Sequence, residues 1–536
     1  MNGNHHIRWA LAVVVAAVAL PTAAASADSP GLQVGLRAPA TALAGAPLDI
    51  QLDITAAAPA ALPVTRADTG AVVATVPVVA GTQHLPARVV LDAAGPVVLR
   101  AGDASATVTV ADFDVDPTSV IAPSLAGYGA QFNHSLFYTR LNPLVPPDGA
   151  GLARKVSLLE PRLVRVFFPA QALTDWTRLA SFQQVVRMAQ VSGATVEVTW
   201  SGGYASVDAN MTRFARALAD LVRSGSTSIR WVSLLNEPNG GWDPPVPKAT
   251  YEQMYRVLDQ RLRAEGVRGQ IGLMGGELVQ TEQRAWLDYM VDHMSDLLDA
   301  YSVHVYWDYW DTAKLESRLN EVKAIDLRTG SKPLYVTEFG VRGVRSAFGM
   351  AVPQPGLWGD ITTPMARTNV NAFQLAWFNI LASRLSYSGT ITWDAFNAKY
   401  DSGTQDFSCI GPAPDFELRP CYYLMRLFTA TTDPGWRVVG VSGASGGKLV
   451  TAYTGWGGQT TVIGLDRSGA VRNDGFGSAV AYTIGGLPPS TAFRVVMWNR
   501  DGRGLLTEEA GVTTDANGVA TFQAPQHAVW ALTTHV

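Results

Sequence analysis

Residues 195–236 contain two apolar β-type segments separated by a helical pattern: TVEVTW (195–200), MTRFARALADLV (211–222) and IRWVSLLN (229–236). A strand, an amphipathic helix and a second strand in this order form the repeating unit of a parallel sheet. The same pattern extends from about residue 120 to 430. The eight strand candidates are LAGYGAQFN (125–133), LVRVFF (163–168), TVEVTW (195–200), IRWVSLLN (229–236), QIGLMGGE (270–277), LDAYSVHVYW (298–307), PLYVTEF (333–339) and GTITWDAF (389–396).

Eight strands with helical patterns between them predict an α/β fold of the (β/α)8 type, a TIM barrel. A doubly wound open sheet is the alternative, but no Gly-x-Gly-x-x-Gly motif follows the first strand. Short β-type runs separated by Gly- and Pro-containing turns lie on both sides of this region and predict two β-sandwiches. We therefore expect an N-terminal sandwich over 28–118, the barrel over 119–433 and a C-terminal sandwich over 434–536.

The first 27 residues have the layout of a secretory signal peptide. Arg8 precedes an apolar stretch over 9–20, and Ala25-Ser26-Ala27 forms a cleavage site. An uncleaved anchor is the alternative, although the apolar stretch is short for a bilayer span of ~20 residues. We expect a secreted protein, extracellular or in the periplasm or cell envelope, with no membrane partner after cleavage. In such a compartment Cys409 and Cys421 predict a disulfide rather than a zinc site.

The amino-acid composition indicates which class of molecule the protein binds. A formal net charge of −4 argues against a nucleic-acid-binding protein. The chain has 15 Trp, 16 Tyr and 18 Phe, and several of them fall in predicted strand-end loops. Aromatic rings pack against the C–H faces of sugars, so these residues predict a carbohydrate-binding cleft, unless half of them pack beneath their own loops. The loop aromatics are Tyr204, Trp242, Trp307, Tyr309, Trp310 and Trp358.

Two carboxylates lie at predicted strand ends, where the side chains of a barrel face the active site. Strand four ends in Asn236-Glu237-Pro238 and strand seven carries Glu338. Hydrolysis of a glycosidic bond requires one carboxylic acid to protonate the departing oxygen and one carboxylate to attack the anomeric carbon or activate water. The neighbouring candidates are Arg165, Trp200, Glu277, His304, Tyr306 and Trp393. This chemistry needs no metal and no organic cofactor.

The segments Asn236-Glu237-Pro238 and Thr337-Glu338-Phe339-Gly340, with His304, Tyr306 and Trp393, resemble the clan of retaining (β/α)8 glycoside hydrolases that includes families five, thirty and thirty-nine. The third strand ends in Trp200, where family five usually has His, so the exact family stays open.

The resemblance implies a role for each matching residue. Glu237 would be the general acid/base and Glu338 the nucleophile, with Asn236 bonded to the sugar 2-hydroxyl. Tyr306 would donate to Glu338, and Arg165 would lie beneath it. His304 would bind sugar or stabilise the acid/base pair, and Trp393 would form the floor of the sugar site. Trp200, Trp242 and Glu277 are further substrate-binding candidates, with structural ion pairing as the alternative for Glu277.

The sequence thus predicts a secreted retaining hydrolase that cleaves β-type bonds of an oligo- or polysaccharide by double displacement. A transglycosylase with the same intermediate is one alternative, and a non-catalytic glycan-binding surface protein is another. Arg342 and Arg345, in the insertion that follows Glu338, are candidates to meet an acidic sugar. Surface ion pairs are the alternative reading of these two arginines.

Overall fold

A computed structural model describes residues 31–145, 149–242, 245–326, 332–342, 365–404, 407–443, 446–468 and 477–535. The expected signal peptide, Arg345 and Trp358 lie outside these residues. The chain forms two compact units, one up to Asp92 and over Pro96–Thr109, the other over Ala93–Gly95 and from Val110 onward. Among the helices of the described residues, none is long and apolar enough to cross a membrane.

The first unit contains eight strands in two antiparallel sheets, a three-stranded one of order β1-β3-β6 and a five-stranded one of order β2-β8-β7-β4-β5. The strands are β1 (Leu32–Arg37), β2 (Thr41–Leu43), β3 (Pro47–Ala56), β4 (Ala60–Arg66), β5 (Val72–Val78), β6 (Gly81–Val90), β7 (Gly95–Ala101) and β8 (Ala104–Ala111). In β3, Ile50, Leu52 and Ile54 are buried and alternate with more exposed residues. This period of two places one face of the strand in a core, as in a β-sandwich.

The second unit begins with β9 (Phe113–Ala122) and continues into a closed barrel of eight strands. They are β10 (Gly127–Phe132), β11 (Leu163–Pro169), β12 (Thr195–Ser201), β13 (Ile229–Leu234), β14 (Gly272–Leu278), β15 (Ala300–Asp308), β16 (Leu334–Arg342) and β17 (Gly389–Thr392). Neighbouring strands are parallel, and β17 pairs with β10 to close the ring. The predicted TIM barrel is confirmed.

Eight helices accompany these strands in the described part of the chain. They are α1 (Ala150–Leu159), α2 (Trp176–Val191), α3 (Val207–Arg223), α4 (Lys248–Ala264), α5 (Gln283–Met294), α6 (Thr312–Asp326), α7 (Asn369–Arg384) and α8 (Pro420–Thr431). Asp175 caps α2 by accepting from the backbone N–H groups of Thr177 and Arg178. Pro420 occupies the first turn of α8, where its missing N–H leaves no bond unmade. These local signals fix where α2 and α8 begin.

A short hairpin, β18 (Lys399–Tyr400) and β19 (Gly403–Thr404), follows the last barrel strand. The C-terminal strands are β20 (Arg437–Ser442), β21 (Lys448–Thr454), β22 (Thr460–Asp466), β23 (Ala479–Gly485), β24 (Ala492–Trp498), β25 (Leu506–Thr513), β26 (Ala520–Pro525) and β27 (Val529–Thr533). With β9 they form a nine-stranded sheet of order β25-β24-β27-β22-β21-β20-β9-β23-β26. Residues from both ends of this sheet share one core, including Tyr482, Phe522 and Trp530. A sandwich therefore follows the barrel.

The position of β9 differs from the sequence-based division, which ended the first domain at residue 118. Residues 113–122 pair with β20 and β23 of the C-terminal sheet. This sheet packs against the barrel helices, because Arg384 of α7 donates to the carbonyl of Val450 at 2.7 Å and Trp498 donates to the carbonyl of Pro420 at 3.0 Å. The C-terminal sandwich is thus anchored to α7 and α8.

Candidate active site

A cavity of about 480 Å³ opens at the carboxyl ends of the barrel strands. Its lining residues are His134, Phe167, Pro169, Gln171, Ser201, Asn236, Glu237, Val279, Tyr306, Glu338, Arg342, Trp393, Tyr400, Asp401, Ser402 and Phe407. This is the end of the barrel at which TIM-barrel enzymes place their active sites. Five of the sequence-predicted site residues, Asn236, Glu237, Tyr306, Glu338 and Trp393, therefore meet in one cavity.

Glu338 lies on β16 and is held by two donors from other barrel strands, β11 and β15. Nη1 of Arg165 lies 2.7 Å from its Oε2, and the Tyr306 hydroxyl donates to its Oε1 at 2.7 Å. Arg165 is fully buried and also donates to the Asn236 side-chain oxygen at 2.8 Å. A buried guanidinium and a phenol that donate to the two oxygens of one carboxyl group fix its orientation. Arg165 acts from beneath this site and does not line the cavity.

Glu237 follows β13 on a turn with left-handed backbone. Leu235 and Glu237 have φ of 62° and 53°, values that side chains adopt rarely and usually where the surroundings enforce them. The N–H of Glu237 donates to the carbonyl of Glu277 at 3.0 Å, and the indole of Trp242 donates to the carbonyl of Asn236 at 2.8 Å. The half-buried ring of Trp242 thus holds the turn that presents Glu237 and lies outside the cavity lining, so its predicted substrate contact stays a prediction.

His304 lies between two carboxylates. Its Nδ1 is 3.1 Å from Oε1 of Glu237 and its Nε2 is 3.1 Å from Oε2 of Glu277. Carboxylate oxygens only accept, so both ring nitrogens carry a proton and the ring is an imidazolium. Burial by itself lowers the pKa of His304, but the charges and hydrogen bonds of Glu338, Glu237 and Glu277 outweigh it and raise the pKa to about 10.

Glu277 corrects a second prediction, because it is fully buried and cannot touch a substrate. Oε2 accepts from Arg165 and His304, and Oε1 accepts from the hydroxyls of Ser302 at 2.9 Å and Thr337 at 2.8 Å. Burial opposes its ionisation, but Arg165 and His304 hold the pKa of this carboxyl well below its usual range. Glu277 is therefore the common anion that fixes both cations of the site.

Glu197 on β12 was missed by the sequence analysis. It is buried, and its strand partner is Arg165. Burial and the negative charge of Glu277 raise the pKa of Glu197 well above its usual range, which favours the neutral form of this carboxyl group. Alternation along β12 places it on the same face as Thr199, which accepts from Arg165 at 2.9 Å.

The electrostatics at Glu237 favour its ionised form in the free protein. Burial raises its pKa, but the hydrogen bond and charge of His304, followed by the charges of Arg165 and Arg342, bring the pKa below its usual value. Glu237 remains partly accessible, with 24% of its side chain exposed, whereas Glu338 has 7%. The more open carboxyl group is the one placed to exchange protons with solvent.

Aromatic rings form one wall of the cavity. Trp393 stacks on Tyr400 at 5.4 Å with 19° between the rings, and Phe167 and Phe407 belong to the same cluster. Sequence reasoning found Trp393 and missed the other three. Phe167 lies two residues after Arg165 on β11 and so on the same face of the strand, a signal that was present in the sequence. Tyr400 comes from the short strand β18 and Phe407 from the segment after β19, and neither carries such a pattern.

Three predicted cleft aromatics are instead core residues. Trp200 is fully buried, stacks on Phe168 and packs at a tilt against Phe214, because on β12 it alternates with the inward-facing Thr199 and Ser201. Trp307 is buried against Phe339 and Phe378, and Tyr309 is buried as well. Of the remaining loop aromatics, Trp310 is 46% exposed and Tyr204 packs against Trp242 at 5.8 Å.

The predicted disulfide between Cys409 and Cys421 is present, with Cα atoms 5.2 Å apart. It joins the segment after β17 to the start of α8 and lies in the core beside Met425.

Glu237, His304 and Glu338 also have the spacing of a metal site, since one ligand atom from each lies within 4.8 Å of the others. An imidazolium has no lone pair to give to a metal, and both nitrogens of His304 are engaged by carboxylates. The arrangement of these three residues therefore suits proton transfer better than metal binding.

No protein-family model and no curated protein matches the chain. Similar solved structures include the catalytic domain of GH30 xylanase C from Talaromyces cellulolyticus, with a TM-score of 0.57 and 11% identity over 78% of this chain and 99% of that one. A glucosidase from Croceicoccus marinus has a TM-score of 0.56 and 16% identity over 79% and 98%. A GH44 xyloglucanase from Paenibacillus polymyxa has a TM-score of 0.52 and 11% identity over 79% and 99%. The chain therefore has the fold of (β/α)8 glycoside hydrolases.

Proposed function

We propose that this chain is a secreted retaining glycoside hydrolase that cleaves β-type bonds of an oligo- or polysaccharide. The observation that carries the proposal is the spacing of its two cavity carboxylates, since an oxygen of Glu237 lies within 4.8 Å of one of Glu338. Retaining enzymes hold their carboxyl groups ~5–5.5 Å apart, whereas inverting enzymes need ~6.5–9.5 Å to admit a water molecule. The similar structures include a xylanase, a glucosidase and a xyloglucanase, which agrees with this reaction class.

In the first step a carboxylate oxygen of Glu338 attacks the anomeric carbon while the glycosidic C–O bond breaks. The proton of Glu237 passes to the departing oxygen, so the leaving sugar departs as an alcohol and the other sugar stays bound to Glu338 as an ester. In the second step Glu237 takes a proton from water, whose oxygen replaces Glu338 at the anomeric carbon. The protein returns with Glu237 protonated and Glu338 ionised.

The surrounding residues support this division of roles. Arg165 and Tyr306 both donate to Glu338, which favours a charged nucleophile. His304 donates to Glu237 and lies 3.8 Å from Glu338, so its positive charge faces both groups. A cation at this position favours the ionised form of Glu237, which acts as the base in the second step. For the same reason, Glu237 carries the proton that it donates in the first step only at acidic pH.

Asn236 and Trp393 line the same cavity and supply a polar group and a flat apolar surface. Sugars present hydroxyls at their edges and C–H groups on their faces, so one ring requires both kinds of contact. The disulfide and the leader-like N-terminal sequence are the grounds for secretion.

Paired Glu→Gln variants test the two roles separately on aryl β-glycosides. Glu338→Gln removes the nucleophile and should lower kcat at least about a thousandfold on every substrate. Glu237→Gln should lower kcat/KM strongly for poor leaving groups and little for a dinitrophenolate, which departs without a proton. It should lower kcat on both kinds of substrate, because the second step loses its base. Glu321→Gln, an exposed carboxylate on α6, is the matched control.

Full activity of Glu338→Gln would contradict the proposal, and an inverted anomer among the first products would contradict retention. Products formed with an added sugar acceptor separate hydrolysis from transglycosylation. Predominant transfer at low acceptor concentration would assign the chain to the second activity.

A further inference from the structure

Among the charged side chains of the cavity lining, Arg342 differs from the others in its contacts. Each carboxylate of the lining contacts a cation: Glu338 contacts Arg165 at 2.7 Å, Glu237 contacts His304 at 3.1 Å and Asp401 contacts Arg178 at 2.7 Å. Arg165 and His304 also contact the buried Glu277. The remaining charged side chain of the lining is Arg342. Among the described residues, no carboxylate lies within 4.0 Å of its guanidinium.

Arg342 is built into the wall of the cavity. It lies on β16 four residues after Glu338, so Glu338, Gly340 and Arg342 share one face of the strand. A Cβ at Gly340 would come within 2.9 Å of the Tyr306 ring, so only glycine leaves room for that ring. The Tyr306 hydroxyl thereby reaches Glu338, while its ring lies 5.1 Å beneath the Arg342 guanidinium.

The positive charge at this wall is reinforced from behind. Nε of Arg342 is buried and makes no hydrogen bond with the part of the chain that the structure describes. Arg318 of α6 is half-buried nearby, and its pKa is lowered by burial and by the charge of Arg342. The charges of Glu321 and Asp308 partly offset this effect on Arg318. A second guanidinium behind Arg342 adds to the positive charge that an anion in the cavity would balance.

We infer that Arg342 binds an anionic group of the substrate, so that the proposed hydrolase acts on an acidic glycan; this inference rests on the proposed function. The planar guanidinium matches a carboxylate with two parallel hydrogen bonds, which points to a hexuronic acid as the cleaved sugar or the sugar linked to it. A sulfate ester presents the same charge. A cation here also offsets the repulsion between a charged sugar and the two glutamates.

The test compares substrates that differ only in the charged group. One pair is a 4-nitrophenyl β-glucuronide and the β-glucoside, and a second is a uronic-acid polysaccharide and its carboxyl-reduced form; a sulfated neutral glycan is the third arm. Wild type should favour the charged member. Arg342→Gln should lower the charged-to-neutral ratio of kcat/KM by about 10- to 100-fold, as for the loss of a charge-assisted bond, and Arg342→Lys should restore part of it. Arg284→Gln, an exposed arginine on α5, is the control.

Preference for the neutral member, or an unchanged ratio in Arg342→Gln, would overturn the inference while leaving the hydrolase intact. Absence of cleavage of every substrate by wild type would instead reject the proposed function. Inhibition of wild type by free glucuronate and glucose needs no variant, so it remains informative if Arg342→Gln fails to fold. Equal inhibition by the two sugars would also contradict the proposed binding of an anionic group by Arg342.

Discussion

Removing the charge of His304 should make the stability of the folded protein less dependent on pH. Its pKa in the folded protein is about 10, above the ordinary value of 6.5, because Glu237, Glu277 and Glu338 surround it. A raised pKa means that the folded state binds the proton more tightly than the unfolded state. The stabilisation is therefore complete below pH 6.5 and is lost as the pH rises toward 10.

The size of the effect follows from the shift of the pKa. Each unit corresponds to about 1.4 kcal/mol, so a change from 6.5 to about 10 gives ~5 kcal/mol as an order of magnitude. No discount for solvent screening is needed, because the His304 side chain has no exposed surface. His304→Asn keeps a hydrogen-bond donor and removes the titrating group. The variant should be less stable than wild type at pH 6.5, and this difference should shrink by several kcal/mol on going to pH 10.

Urea unfolding followed by tryptophan fluorescence at a series of pH values measures this difference directly. At each pH, the free energy of unfolding of the variant is subtracted from that of wild type. This difference removes the contribution of Lys and Tyr residues that titrate elsewhere in the protein. His293→Asn changes an exposed histidine on α5 and should give a curve parallel to wild type. If the wild-type and His304→Asn curves are parallel from pH 6.5 to 10, His304 is not a buried cation and the charge assignment of the site is wrong.

Three further outcomes are expected. Tyr306→Phe should lower kcat by about 10- to 100-fold with little change in KM, since it removes one donor to a charged carboxylate; steady-state kinetics would show this. Trp200→Ala should lower the free energy of unfolding by ~3–5 kcal/mol, whereas Trp393→Ala should chiefly raise KM. If Trp393→Ala lost the stability and Trp200→Ala raised KM, the assignment of Trp200 to the core and of Trp393 to the cavity would be wrong. Replacing Cys409 and Cys421 together by Ser should lower stability by ~2–4 kcal/mol in urea, and wild type in a reductant should match that variant.

The barrel could be predicted because its signals are local. Each βα unit carries a short apolar run, a period of 3.6 and a polar turn, and the strand ends then locate Glu237 and Glu338 without any structure. Barrel topology brings the ends of distant strands together. The site carboxylates are therefore adjacent as a consequence of the fold, and no local pattern has to encode their contact.

Other features depend on contacts that no short window contains. Trp200 was assigned to the cleft from its place at a strand end, although the period of two puts it among the helices. Glu277 looks like a cavity residue until Arg165 and His304 are found to enclose it. Tyr400 and Phe407 pack against Phe167 and Trp393 from the β18–β19 hairpin and the segment after it, and no short stretch of sequence predicts these contacts.

The strand β9 has a consequence for how the chain is made. Ala122, ahead of the barrel, pairs with Val438, which follows it. A ribosome therefore releases β9 long before its partner strands exist, and β9 stays without them until every βα unit has emerged. Contacts so distant in sequence form slowly, so completion of the nine-stranded sheet reports that the whole barrel has been synthesised. A nascent chain stalled before residue 437 would keep one unpaired edge exposed.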